Sequence, residues 1–550
     1  MTSMKTCIKC QNQFQVEPED LKFYAKMEVP EPTHCPRCRQ QRRLIFRNEI
    51  NLFHRKCDKT GKNIISMYSA DSPYPIYDQG EWWKDNWDPI EYGRDFDFNR
   101  PFFEQFEELR RKVPRMSLNC IQNENSEYTS YALGDKNSYL LFTADFNEDC
   151  YYGRFSDRNF RCTDFDFTYD SKFCYQTIRV HNGTNCWFSQ KLENCSDNLF
   201  CYDMKNCHSC IFCTNLRNQN YMILNKKVTQ EEFEKFKSEL NLSSRKSLNE
   251  AISKAKGFIQ RQPHKYLENI QCEDCIGDYL KNCKNANYCF DSYDLQDTKY
   301  CSQVFKLKDC YDWDFVGENS ELCYEMASSA GNAVHCRFCM NTWQGNSNMN
   351  YCDLCLFDSD CFGCVGLRRK KYCILNKQYS KEEYEALLPK VIDHMKKTGE
   401  WGEFFPLSLS PFAYNDSVAF EYFPLTKEQA IAQGLKWRDE DKKHAASQSV
   451  TVPDDIKDVK DDIVNAVLVC KHCEKNFKVV PQELKFYREL KLPIPEVCWV
   501  CRHHERMAQK NPRVVYQRNC SKCQEKIITT YSPEKLEPVY CEKCYLDFVA

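Results

Sequence analysis

Glycine and long apolar runs are scarce in this sequence. Only 16 of its 550 residues are glycine. It contains no glycine-rich loop for a phosphate and no HExxH pattern, so the common signals of nucleotide-binding enzymes and zinc proteases are missing. No apolar stretch follows the opening MTSMKTCIKC, and no segment approaches the length of a membrane span. We therefore expect no secretory signal, no membrane partner and a cytoplasmic location.

A strong overall charge is also lacking, but the charges are unevenly distributed. The chain has 76 basic and 79 acidic side chains. Residues 1–55 carry a net charge of +4 and residues 470–550 carry +5, so the stretch between them must carry −12 to give the total of −3. Basic ends thus flank an acidic middle, in a chain too long for a single core.

Cysteine is abundant, with 37 residues. Thiols stay reduced in the cytosol, which favours metal ligands or buried thiols over disulfides. Residues 7–57 and 470–520 align without a gap at an offset of 463. Each copy contains C-x2-C, a spacer of 24 residues and a second C-x2-C. Four thiolates in two such knuckles suit a tetrahedral, structural Zn²⁺.

The C-terminal copy continues with a second pair of knuckles. The eight cysteines could pair sequentially or in a cross-braced order. The N-terminal copy has lost three of the eight cysteines. Sequential pairing would keep one N-terminal site whole, whereas cross-braced pairing would break both, so sequential pairing is favoured. We expect three structural zinc sites, formed by Cys7, Cys10, Cys35 and Cys38; by Cys470, Cys473, Cys498 and Cys501; and by Cys520, Cys523, Cys541 and Cys544.

The end modules resemble a bacterial family of probable zinc-ribbon (zinc-binding) domains. The matching pattern is a CxxC knuckle, an aromatic residue, "FY" and then "CPxCR", here Cys7, Cys10, Phe14, Phe23, Tyr24, Cys35, Pro36, Cys38 and Arg39. The C-terminal copy departs at Trp499, which replaces the proline. The whole chain is similar to long, cysteine-rich uncharacterised proteins of ultra-small bacteria, through GRDFDFNRPFFEQF, NEDCYYG and SPFAYND. The resemblance implies bound metal and no particular activity.

Cys57 is the one cysteine of a degenerate second site in the N-terminal copy. The other three ligand positions hold Thr60, Asp78 and Glu81. Threonine is a poor zinc ligand, and the segment QGEWWKDNW supplies three tryptophans nearby. We expect apolar packing to replace the metal here.

A basic segment follows each first ribbon. Three cations recur at i, i+4 and i+8, on one helical face: Arg39, Arg43 and Arg47 at one end, and Arg502, Arg506 and Lys510 at the other. Contact with nucleic-acid phosphate is one interpretation, because arginine offers a bidentate fork to phosphate oxygens. The alternatives are a solvated face and a face that docks on the acidic middle.

The middle of the chain is periodic. Cys150, Cys162, Cys174 and Cys186 are 12 residues apart, and each lies between a polar turn and a run rich in aromatic and β-forming residues. We predict a mainly β fold with a central β-solenoid of about 12 residues per strand and turn and about 24 per coil, flanked by zinc ribbons. An antiparallel meander is the alternative.

The periodic region is doubled, since residues 210–236 echo residues 361–387 and both end in a predicted helix with a capping box. The predicted domains are an N-terminal ribbon with its basic helix (1–56), a degenerate ribbon and aromatic connector (57–116), solenoid block 1 (117–268), solenoid block 2 (269–400), an aromatic cap (401–438), a linker (439–465) and a double ribbon (466–550).

The remaining cysteines have two possible roles. They could form a column of small buried thiols, because cysteine is among the most buried residues. They could instead add metal sites, for which the candidates are Cys207, Cys210, Cys213, Cys336, Cys339, Cys352 and Cys355.

The leading functional hypothesis is a non-enzymatic zinc protein that binds a macromolecule or acts as a scaffold. The partner is not identified by the sequence, and nucleic acid or ribonucleoprotein is possible through the basic helices. A cysteine-rich metal store or thiol sensor is the second hypothesis. A solenoid carbohydrate-active enzyme is the third, because the middle has many carboxylates. The absence of a convergent catalytic set argues against an enzyme.

Overall fold

A computed structural model describes residues 3–439 and 450–550. They divide into two compact units. Unit 1 contains residues 3–118, 267–438 and 513–515, and unit 2 contains residues 119–266, 439, 450–512 and 516–550. Each unit therefore combines one part of the periodic middle with the ribbons of one chain end.

Unit 2 is built on an 11-stranded sheet, called here the first sheet. Its strands pair in parallel, and a closing antiparallel hairpin ends it. The pairing distance is twelve residues, as in Tyr151 beside Thr163. The strands are Cys120–Ile121, Ser130–Leu133, Tyr139–Asp145, Tyr151–Asp157, Thr163–Asp166, Tyr175–Thr184, Gln190–Leu199, Tyr202–Lys205, His208–Ile211, Asn220–Ile223 and Lys226–Lys227.

Unit 1 is built on a nine-stranded second sheet of the same kind. Partners are again twelve residues apart, as in Phe290 beside Ser302, or thirteen apart, as in Cys310 beside Cys323. The strands are Ile276–Lys281, Lys284–Lys299, Ser302–Val316, Ser320–Ser329, Arg337–Met340, Ser347–Asn350, Ser359–Phe362, Lys371–Ile374 and Lys377–Gln378.

Positive φ angles recur at almost every third residue of both sheets. Asp149, Arg161 and Phe173 have φ values of 53°, 52° and 55°, and the residue after each is a fully buried cysteine. The left-handed conformation turns the chain so that one residue in three points inward, which explains the many asparagines and aspartates at these positions. The parallel pairing excludes the antiparallel meander for these sheets. The expected 24-residue coil is also wrong, because neighbouring paired strands are twelve or thirteen residues apart in the sequence.

Each sheet ends in an antiparallel hairpin, and the helix with a capping box that was predicted follows it. In unit 2 the Thr229 hydroxyl accepts a hydrogen bond from the Glu232 amide at 3.1 Å, and the Glu232 carboxylate accepts one from the Thr229 amide at 2.8 Å. Ser380 and Glu383 form the same capping box in unit 1. The helices are Gln230–Glu239 and Arg245–Gln260 in unit 2, and Lys381–Thr398, Val418–Tyr422 and Lys427–Ala432 in unit 1.

Four ribbons repeat one local plan, in which a short hairpin carries the first knuckle and a helix follows. The hairpins are Ser3–Thr6 with Gln13–Val16, Phe53–Lys56 with Asn63–Ser66, Leu468–Val469 with Asn476–Phe477, and Tyr516–Asn519 with Lys526–Thr529. The helices of this part of the chain are Pro18–Lys26, Pro36–Leu44, Gln79–Trp82 and Phe102–Arg110 in unit 1, and Pro481–Leu490, Trp499–Met507 and Glu542–Val549 in unit 2. The remaining short strands are Ile76–Tyr77, Arg115–Met116, His264–Lys265 and Val539–Tyr540.

Residues 439–465 were expected to form a linker, but part of this segment is packed in the structure. Residues 440–449 of it lie outside the described residues. Ile456, Val459 and Ile463 are buried, and they join a cluster with Leu484 and Tyr487 of the ribbon. Residues 450–465 are thus packed within unit 2. In the described part of the chain, no helix has the length and apolar character needed to cross a membrane.

Candidate metal centres

Three groups of four cysteines bring their sulfur atoms together. Within each group all sulfurs lie within 4.8 Å of one another. One pair across the two knuckles is 3.7 Å apart in each group: Cys10 with Cys35, Cys473 with Cys498, and Cys523 with Cys541. A tetrahedral ion with metal–sulfur bonds of about 2.3 Å requires sulfurs about 3.8 Å apart. The donors therefore fit a four-coordinate thiolate site, and they group in the sequential order.

The local fold explains why these sulfurs converge. In every group the third cysteine is the N-cap of a helix, so the last two ligands face the positive end of the helix dipole. The amide of Cys498 donates to the sulfur of Cys470 at 3.3 Å, and Cys541 donates to Cys520 at the same distance. Burial raises the pKa of the Cys470 thiol, but backbone N–H donors, those of Cys473 and Cys498 first, outweigh burial and lower it to about 6. The Cys470 position thus favours the thiolate that a metal needs, whereas burial raises the pKa of Cys498 to about 11.

The ribbon of Cys57 keeps this backbone and loses the ligands. The amide of Asp78 donates to the Cys57 sulfur at 3.2 Å, as the third cysteine does elsewhere. The Asp78 carboxylate is turned to its own helix, where it accepts from the Gly80 amide at 3.0 Å. Among the residues that the structure describes, Cys57 belongs to none of the groups that could hold a metal.

Tryptophan and arginine pack beside this degenerate ribbon. Trp82 is fully buried, and its indole N–H donates to the carbonyl of Pro114 at 2.9 Å. The guanidinium of Arg368 lies over the rings of Trp82 and Trp87, 4.2 and 4.8 Å from their centroids. The ribbon is thus held against the second sheet by aromatic packing and a cation–π contact.

In unit 1 the arginines considered for phosphate contact form ion pairs with carboxylates of the second sheet. Arg39 contacts Asp312 at 2.9 Å, and Arg43 contacts Asp312 at 2.9 Å and Asp314 at 2.8 Å. All four side chains are at most 1% exposed. Arg47 is also buried, and its guanidinium lies 4.3 Å from the centroid of Phe315.

Unit 2 repeats these contacts one for one. Arg502 contacts Asp164 at 2.9 Å and Arg506 contacts Asp166 at 2.6 Å, all four being buried. Lys510 lies 3.7 Å from the ring centroid of Phe167. Arg39, Arg43, Arg502 and Arg506 are all buried in these contacts, so docking on the acidic middle is the arrangement that the structure contains.

The aspartates that pair with these arginines were not predicted from the sequence, although the sequence contains a motif that marks them. The first sheet carries CTDFDF from Cys162, and the second carries CYDWDF from Cys310. Burial raises the pKa of Asp166, but His503 and Arg506 outweigh it and hold the pKa well below its usual range. Asp166 therefore stays ionised, and the duplicated DxD motif matches the duplicated arginine pair.

The cysteines proposed as extra ligands lie inside the sheets. In the described residues, Cys207, Cys210, Cys213, Cys336, Cys339, Cys352 and Cys355 are absent from the groups that could hold a metal. Each thiol instead donates to the carbonyl two residues before it, at 3.2 Å for Cys207 and 3.4 Å for Cys210. Their C-x2-C spacing has a different origin here, because consecutive inward positions are three residues apart.

No family model matches the chain, and no curated protein matches it. The resemblance of the end modules to zinc ribbons therefore rests on their cysteine pattern and on the three sulfur groups.

Proposed function

We propose that the protein is a zinc-stabilised, non-enzymatic scaffold that binds a macromolecule in a reducing, cytoplasmic setting. The ribbons are structural clamps, and the two sheets are β-solenoid blocks with twelve residues per coil. Zinc is the proposed ion because all four donors are thiolates with a tetrahedral spacing. A closed shell of four ligands leaves no open position for catalysis, which favours a structural role.

The observation that carries this proposal is the docking of the ribbon helices. The arginines that suggested phosphate contact form ion pairs with buried carboxylates of their own unit. Breaking such a buried pair leaves an unpaired charge and is strongly unfavourable. A partner is therefore expected on the exposed faces of the sheets, and nucleic acid would have to be bound there.

One exposed face of the first sheet carries a regular row of amides. Asn182, Asn194, Asn206 and Asn218 are exposed, and each amide donates to the next at 3.0, 3.2 and 3.0 Å. Neighbouring strands are about 4.8 Å apart, so the row presents donors and acceptors at a constant spacing. A periodic and polar surface of this kind suits a long partner better than a small molecule.

The test is retention of partners by the zinc-loaded full-length protein on a column, with RNA, DNA and cell lysate applied separately. We expect one class to be retained, and Asn194→Asp combined with Asn206→Asp to reduce retention at least about tenfold by placing two carboxylates in the row. Asn125→Asp, at an exposed position of the same sheet, is the matched control and should retain the partner. Retention of none of the three, or turnover of a substrate, would overturn the proposal.

A further inference from the structure

The cysteines outside the three sulfur groups differ sharply in their access to solvent. There are 25 of them, and 23 are buried. The two that are partly exposed are Cys272 and Cys275, which form the C-x2-C of CEDC. Because a cysteine must be accessible to react, these two stand apart from all other thiols that are not candidate ligands.

Their exposure follows from their place at the edge of the second sheet. They precede Ile276–Lys281, which is the edge strand. Among the described residues, their segment pairs on one side only, through Ile270 with Lys281 and Glu273 with Lys284. Interior cysteines have paired backbone on both sides. At the other sheet ends Cys120, Cys213 and Cys373 are buried, so this edge differs from the rest.

The two thiols face the same interior and have a third thiol beside them. The chain turns between them at Asp274, whose φ is 51°. Cys275 donates to the carbonyl of Glu273 at 3.2 Å and to that of Cys283 at 3.4 Å. The thiols of Cys275 and then Cys283 lower the pKa of Cys272, against the opposing effect of burial. The thiolate form of Cys272 is therefore favoured, which makes Cys272 the nucleophile of the pair.

We propose that Cys272 and Cys275 form a reactive dithiol that exchanges with small disulfides. The Cys272 thiolate attacks one sulfur of the disulfide, forms a mixed disulfide and releases one small thiolate. The Cys275 thiol then loses its proton and attacks the Cys272 sulfur, which closes the protein disulfide and releases the second small thiol. Two protein thiols are oxidised and one small disulfide is reduced to two thiols, so atoms and electrons balance.

This reaction is separate from the metal sites. Cys10 and Cys523 are more exposed, but a bound metal ion would hold their sulfurs. The experiment therefore uses zinc-loaded full-length protein, with oxidised glutathione as the probe and mass spectrometry to map each cysteine. We expect a disulfide between Cys272 and Cys275 with the zinc content unchanged. Unmodified Cys272 and Cys275, or first reaction at the ligand cysteines with loss of zinc, would overturn the proposal.

Variants separate the two steps. Cys275→Ser should stop at glutathione bound to Cys272, and Cys272→Ser should slow glutathione consumption by at least about tenfold. Cys301→Ser is the matched control, because Cys301 is a buried thiol in the core of the same sheet and the disulfide should still form. Unchanged consumption in Cys272→Ser would contradict the assignment. If Cys301→Ser misfolds, the wild-type map of modified cysteines decides.

Discussion

At the scale of single residues, cysteine has two main roles in one chain, and its surroundings decide which. At a helix N-cap opposite a second knuckle it is a candidate metal ligand. Inside a sheet it is a small donor to a nearby carbonyl, and burial raises the pKa of Cys195 to about 11, so that thiol stays protonated. The ligand groups were predictable because spacing and duplication agree. The interior C-x2-C pairs misled, because their spacing comes from the three-residue rhythm of the backbone.

Cys57 and Cys520 give a matched pair of mutations at equivalent positions. Cys57→Ser should leave the zinc content unchanged, because in the described residues Cys57 belongs to none of the groups that could hold a metal. Cys520→Ser should remove one zinc per chain and unfold the last ribbon, because the energy of a structural zinc site is folding energy. Elemental analysis of both purified variants makes the comparison. Loss of zinc from the Cys57 variant would refute the account of the degenerate ribbon.

At the scale of elements, the two basic helices dock on the sheet of their own unit through buried ion pairs. Their arginine periodicity was clear in the sequence, but its purpose was not, because a solvated face, a phosphate site and an acidic dock share one pattern. The deciding information was the DxD pair in each sheet. Its significance depends on both carboxylates lying on one strand, as Asp164 and Asp166 do. The twelve-residue parallel pairing was likewise visible only in part, since the cysteine period gave the spacing and not the direction.

Asp164→Ala tests the docking of the C-terminal helix. Arg502 and Arg506 would each lose a buried partner, and we expect a loss of about 3–5 kcal/mol in the free energy of unfolding of unit 2. Asp170→Ala is the control, because its pair with Arg158 is exposed and should cost less than about 1 kcal/mol. Denaturant unfolding at constant zinc measures both. Equal losses would show that the buried pairs hold nothing in place.

At the scale of the whole molecule, each ribbon packs on the sheet that is remote from it in sequence. Arg39 and Asp312 are 273 residues apart, and Arg502 and Asp164 are 338 apart. The sequence could not reveal this choice, because both sheets carry the same acidic motif and both helices carry the same arginines. Contacts this distant are expected to form late and slowly in folding.

The metal content of anaerobically purified protein tests the central claim most directly. We predict three zinc ions per chain, one for each group of four cysteines. Removing them with a chelator should unfold the ribbons. A content of about eight ions would make the interior thiols ligands and would favour metal storage. A folded protein with no metal would contradict the account altogether.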